Sequence, residues 1–245
     1  MKPILISLAL LLSAPAFAAD PGAMTVSSLE GLCTMKPADG SGSSPLSEGD
    51  PLHEGETVQV PPGGRLEIAV ANGTVIRLGE NSRLLLGTAP PAGGRFSARL
   101  FVGSLWTKVH KLLASETFHV ETENAVAGVR GTEFRVEAAG PGGSDDLVRV
   151  YEGAVEVKGP AGWAHSVTPG HELAFRRERP PAGPRAFDPA SEKSSRLMAW
   201  VREKPPREGL VAPRERKAPE RKDRKRERKE RRQERTQQHR GLHAR

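Results

Sequence analysis

The chain has 245 residues and carries 37 Lys and Arg against 30 Asp and Glu, a net charge of +7. That length accommodates one domain with appendages and excludes an array of several. A single cysteine, Cys33, excludes an intramolecular disulfide framework.

Lys2 opens the chain with a positive charge, residues 4–12 form an apolar run, and Ala16 and Ala18 stand as an A-x-A cleavage site. This pattern predicts a secretory signal peptide over residues 1–18 and a mature chain that is periplasmic or secreted. The apolar run falls well short of the roughly 20 residues that span a bilayer, and no later stretch is longer or more apolar. Glu30, Gly31 and Leu32 ahead of Cys33 do not make a lipobox, so Cys33 is expected to be a half-buried small hydrophobe.

Residues 19–178 read as one compact all-β domain of short strands. Leu66, Ile68 and Val70 alternate with Arg65, Glu67 and Ala69, and Asn72-Gly73 follows before Val75. Asn-Gly between alternating runs predicts a two-residue type I′ hairpin. Phe118 and Val120, Phe134 and Val136, and Val148 and Val150 repeat the alternation, and Glu152-Gly153 turns the chain into Val155 and Val157. Period-two patterning places one set of side chains in a core, and its carboxylates on solvated strand faces. Roughly a dozen such runs spaced about 8 to 12 residues apart predict a barrel, a sandwich or a solenoid, and the absence of long helical patterns between them disfavours a parallel α/β fold. One stretch stays open. Leu105, Val109, Leu112 and Leu113 fit a helix face, whereas Leu105, Thr107 and Val109 fit a strand.

Residues 122–134 read TENAVAGVRGTEF. This segment resembles the signature of the FecR domain family, and residues 49–60, 63–78 and 148–159 resemble its other strands. Glu123 stands where that signature usually has proline. The resemblance implies an all-β, solenoid-like or sandwich-like envelope module, and it favours a strand over residues 105–109. It also implies a role in signalling or sensing through a protein partner. Family members that regulate sigma factors carry a sigma-binding segment and a transmembrane helix; neither is expected here, so contact with a sigma factor is not expected. Within the signature, Gly128, Val129, Arg130, Gly131, Thr132 and Phe134 are expected to be architectural, the two glycines serving tight turns or close backbone approach.

No catalytic pattern is found. His171-Glu172-Leu173-Ala174-Phe175 begins like the zinc motif H-E-x-x-H, but Phe175 replaces the second ligand. His53, His110, His119 and His165 are scattered, and no nucleophile elbow or phosphate loop is present. The chain is therefore expected to be no enzyme, with no cofactor and no metal.

Residues 179–212 read as a Pro-rich linker that holds a short amphipathic helix. Leu197, Trp200 and Val201 lie at helical spacing behind a capping Ser194 or Ser195, and the helix is expected to dock on the β domain, the alternative being an interfacial helix on a membrane with Trp200 at headgroup depth. Residues 213–245 read as a disordered tail. Residues 214–245 contain 15 Lys and Arg and 6 Asp and Glu, so all the excess basicity sits there. With almost no apolar residue the tail cannot offset its chain entropy by burial. Arg224, Lys225, Arg226, Arg228, Lys229, Arg231 and Arg232 are its candidate contacts to an anionic polymer or lipid headgroups, bound by counterion release. The missing aromatics argue against stacking on single-stranded nucleic acid.

Overall fold

The computed structural model describes residues 24–87, 95–110, 117–129, 131–192 and 194–206. The signal-peptide and tail expectations, and Arg130 of the signature, lie outside them.

Among the described residues, seventeen strands form one continuous hydrogen-bonded sheet. The first half contributes β1 (Met24–Glu30), β2 (Thr34–Lys36), β3 (Ser44–Pro45), β4 (Pro51–Leu52), β5 (Thr57–Val60), β6 (Arg65–Val70), β7 (Val75–Leu78) and β8 (Ser82–Leu86). A long β9 (Arg95–Lys108) follows. The second half contributes β10 (Thr117–Glu121), β11 (Val126–Val129), β12 (Glu133–Ala138), β13 (Asp146–Glu152), β14 (Val155–Lys158), β15 (Ala164–Val167), β16 (His171–Phe175) and β17 (Arg185–Ala186). A 3-10 turn (Pro189–Glu192) and one helix, α1 (Arg196–Glu203), come last.

The sheet folds into two layers that share β9. Layer A has the order β4-β1-β6-β7-β9-β12-β13-β16-β17. Layer B has the order β3-β2-β5-β8-β9-β10-β11-β14-β15. The chain winds between them, so solenoid-like and sandwich-like both describe it. Alternation is the cause: the longer strands give one face to a single core between the layers. Phe96 and Phe118 of layer B stack at 4.6 Å, and Phe118 meets Phe134 of layer A edge-on at 6.3 Å.

β9 resolves the open stretch as strand. Its first half pairs with β8 and, in parallel, with β10; its second half pairs with β7 and β12. Gly103 at φ +99° makes the change of layer, and a Cβ there would lie 2.5 Å from Ser82 Cα. Only glycine takes that bend without strain.

Two expectations need correction. The Asn72-Gly73 turn is a three-residue loop: Gly73 N–H donates to Val70 O and Val70 N–H to Thr74 O, both at 2.9 Å. Gly73 alone has positive φ, and Asn72 Oδ1 instead accepts from Thr74 N–H. A type I turn followed by a left-handed glycine has this form, because an asparagine that accepts from the amide two residues on has no need of positive φ. The fold also runs past residue 178 into the expected linker. β17 joins layer A, where Arg185 donates to Glu172 and Phe187 meets Tyr151 edge-on at 5.8 Å.

Candidate functional site

The signature residues form a corner between the layers. Gly128 lies in extended β11 opposite His119 and Glu156, with no positive φ; a Cβ there would meet the His119 ring at 3.4 Å. Val129 points into the core. Gly131 has φ +61° and opens the crossing to layer A. Buried Thr132 accepts from Val109 N–H through its carbonyl, and Phe134 is fully buried. The return crossing packs on the same corner: a Cβ on Gly153, at φ +77°, would lie 2.6 Å from Thr132 Cγ2.

Across the outer face of layer A runs a row of directly opposed residues: Glu67, Arg77, Trp106, Arg135, Arg149, Glu172 and Arg185. Alternation points them outward, away from the core. Even so, Glu67, Arg77 and Trp106 are each 1% exposed, and Glu172 is 5% exposed. This corrects the expectation of solvated carboxylates. The cause is a strap formed by residues 189–192 and 194–204, which lies over the face.

Each end of the strap meets one part of the row. Ser195 caps α1 by accepting from Met198 N–H, and Leu197, Met198 and Trp200 bury against Val75 and Trp106. Arg77 donates Nε to Glu67 at 2.7 Å, and its guanidinium sits 4.5 Å from the Trp200 ring centre and 5.5 Å from that of Trp106. Arg65 takes the same Trp200 ring from 5.3 Å. Arg135 and Arg149, like charges directly opposite, would repel if left alone. Glu192 of the strap accepts from both at 3.3 Å and from Tyr151 Oη at 2.6 Å. Burial and that hydrogen bond to Glu192 push the Tyr151 phenol well above its ordinary range, so it stays a donor. Burial works against the Glu172 carboxylate, but hydrogen bonds from Arg149 and Arg185 overcome it and hold the group below its ordinary value.

Part of this architecture is similar to a known family. Residues 56–156 match the model of the FecR protein family, from the start of β5 into β14. Over that stretch the chain resembles a FecR domain. The matched segment holds the signature corner, β9 and the row from Glu67 to Arg149, while the strap lies beyond it. No curated protein matches the chain. Two crystal structures of a protein described as a candidate anti-sigma factor from Parabacteroides distasonis ATCC 8503 are similar to it, each at 20% identity and a TM-score of 0.49. Each match covers 59% of this chain and 64% or 63% of that protein, so the chain spans a little under two thirds of its length.

The outer face of layer B in the matched segment is open. Arg99 pairs with Glu121 at 2.9 Å and Lys158 with Glu156 at 3.0 Å, all well exposed, and Val126 between them is 37% exposed. A shallow groove of about 300 Å³ on the same layer holds Arg83, Arg99, Phe101, Glu123 and Arg177. His171 and Glu172 fall on strand β16, where no helical ligand pair forms. Among the described residues no group of three or more His, Cys, Asp and Glu converges. Cys33 is fully buried, and burial raises its thiol to about 11. No helix among the described residues is long and apolar enough to cross a membrane.

Proposed function

We propose that the chain is a non-catalytic FecR-like module of the cell envelope that binds a protein partner and takes part in signalling or sensing. The family match over residues 56–156 carries the reading. Support comes from the fold, in which two layers locked by one core present broad outer faces built of charged and aromatic side chains. The leader-like residues 1–18 support export, with a module that begins at residue 19 and runs on through β17. The signature corner is read as architecture, because Val129, Thr132 and Phe134 are all turned inward.

Crosslinking capture from intact cells tests this, comparing the full chain with one stopped at Ala212. Capture of the same envelope protein by both is the expected result. A second reading, anchorage to an anionic polymer or lipid through residues 224–232, is favoured by the confinement of the excess charge to the tail. Capture that needs the tail and disappears with salt would select that reading instead.

A further inference from the structure

The two buried regions of the molecule are built differently. Between the layers, the buried side chains are apolar almost throughout, and uncovering them would cost the fold. Under the strap, the buried side chains include Glu67, Arg77, Arg135 and Glu172, groups that water solvates well. A face of this composition survives exposure, so the strap is a cover and not a wall of the core.

The strap is also loosely seated. Its apolar contacts form a satellite cluster of Val75, Trp106, Leu197, Met198 and Trp200, separate from the main core. Of its polar contacts, those from Glu192 to each arginine at 3.3 Å and from Arg77 to Trp200 O at 3.4 Å are long for charge-assisted bonds, while Tyr151 Oη holds Glu192 at 2.6 Å. Arg135, 8% exposed, keeps a buried Nε with no hydrogen-bond partner. Clefts of about 180 and 470 Å³ border the strap, and both are lined by Gly79, Glu80, Arg196 and Leu197. Segments with few apolar contacts and imperfect polar ones open at lower free energy than the rest of a fold.

We propose that the outer face of layer A is a docking surface for a short helix preceded by an acidic residue, occupied here in cis by the strap, and that a partner segment of the same chemistry takes its place. The strap itself shows what fits. A carboxylate bridges Arg135 and Arg149; five residues on, a leucine reaches Val75 and Trp106; eight residues on, an aromatic ring lies against Arg77. Complementary charge selects the acidic group, since two opposed guanidiniums repel without it. The partner is thus a protein helix laid in a groove, read by spaced anchors. The proposal deepens the binding reading above by naming the surface and the ligand class.

The test uses the full chain with Gly79→Cys, Leu197→Cys and Ser104→Ala. A Cβ at Gly79 lies 3.5 Å from Leu197 Cβ, within disulfide range, and Ser104→Ala removes the hydroxyl that would crowd it. Oxidation locks the strap and reduction frees a weakened one, while buried Cys33 stays out of the exchange. The probe is a fluorescent peptide of residues 187–206. It is expected to bind the reduced chain at least 10-fold more tightly than the oxidised chain. Peptides with Glu192→Gln or Trp200→Ala should bind at least 10-fold more weakly. Equal binding to both redox forms, or equal binding of the altered peptides, overturns the proposal. As a second variant, full-length Trp200→Ala should keep the β domain's cooperative melting and bind the peptide; loss of the whole β fold would show that the strap is part of the core and would also overturn it. Strap exchange without capture of any envelope protein would support this surface and defeat only the broader reading.

Discussion

The two outer faces of the sandwich use the same side chains with opposite consequences. In layer A, Arg77 and Glu67 meet at 2.6 Å with side chains 1% exposed; in layer B, Arg99 and Glu121 meet at 2.9 Å with side chains 53% and 35% exposed. Strand pairing alone sets both geometries. What differs is the strap, which removes water from one pair and leaves the other in it. An ion pair of fixed geometry is therefore worth what its cover makes it. A buried pair becomes costly to break, because the survivor is stranded without water, whereas an exposed pair is screened and readily replaced by solvent.

The largest effect should follow Glu67→Ala, which strands Arg77 between two indoles. Chemical denaturation should show a loss of about 3–5 kcal/mol. In a Trp200→Ala background water reaches Arg77, so the loss should shrink markedly; an undiminished loss would mean that the strap is not what dries this pair. Glu192→Gln comes next, at about 2 kcal/mol, since Arg135 and Arg149 lose their shared carboxylate yet retain Glu137. Its effect should appear first as exposure of Trp200 and only then as unfolding of the sheet.

Acid should separate the faces in the same order. The Glu172 carboxyl is held below its ordinary value of 4.5 in the fold, so its contribution is complete above that pH and is lost as pH falls through the lowered value. Fluorescence of Trp200 followed downward from pH 5 should thus stay native through the ordinary carboxylate range and change below it. A transition centred above 4.5 would contradict the arginine pairing seen in the structure.

Period-two alternation made the strands and the core legible, and Gly128 to Phe134 made the family legible, because both are local. The rest was non-local. Glu67, Arg77 and Glu172 stand at outward positions and read as solvated; nothing near them in the chain announces a cover that arrives 123 residues after Arg77. Leu197 and Trp200 revealed a docking helix but not its seat, since Val75 and Trp106 stand on the outward face beside Arg77 and nothing local marks them as covered. The doubling of β9 escaped for another reason: the inward set shifts from Phe96, Ala98 and Leu100 to Leu105 and Val109 across Gly103, and a change of phase reads as the end of one strand as readily as a change of layer. Asn72-Gly73 misled because the dipeptide serves the three-residue turn as well as the two-residue one.

The smallest effect belongs to the open face, and it is the control on which the comparison depends. Glu121→Gln removes the partner of Arg99, keeps the side chain's size and leaves the strand register of β10 untouched. Arg99 then turns to water at little cost, so the loss should be about 0.2–1 kcal/mol at low salt. Raising the ionic strength to about 1 M contracts the screening length to about 3 Å, and the difference from the unaltered chain should vanish. The Glu67→Ala loss should persist under the same salt, because ions do not reach a dry pair. If both losses fade together, the layer A row is wetter than its burial implies, and the contrast between the faces is one of degree alone.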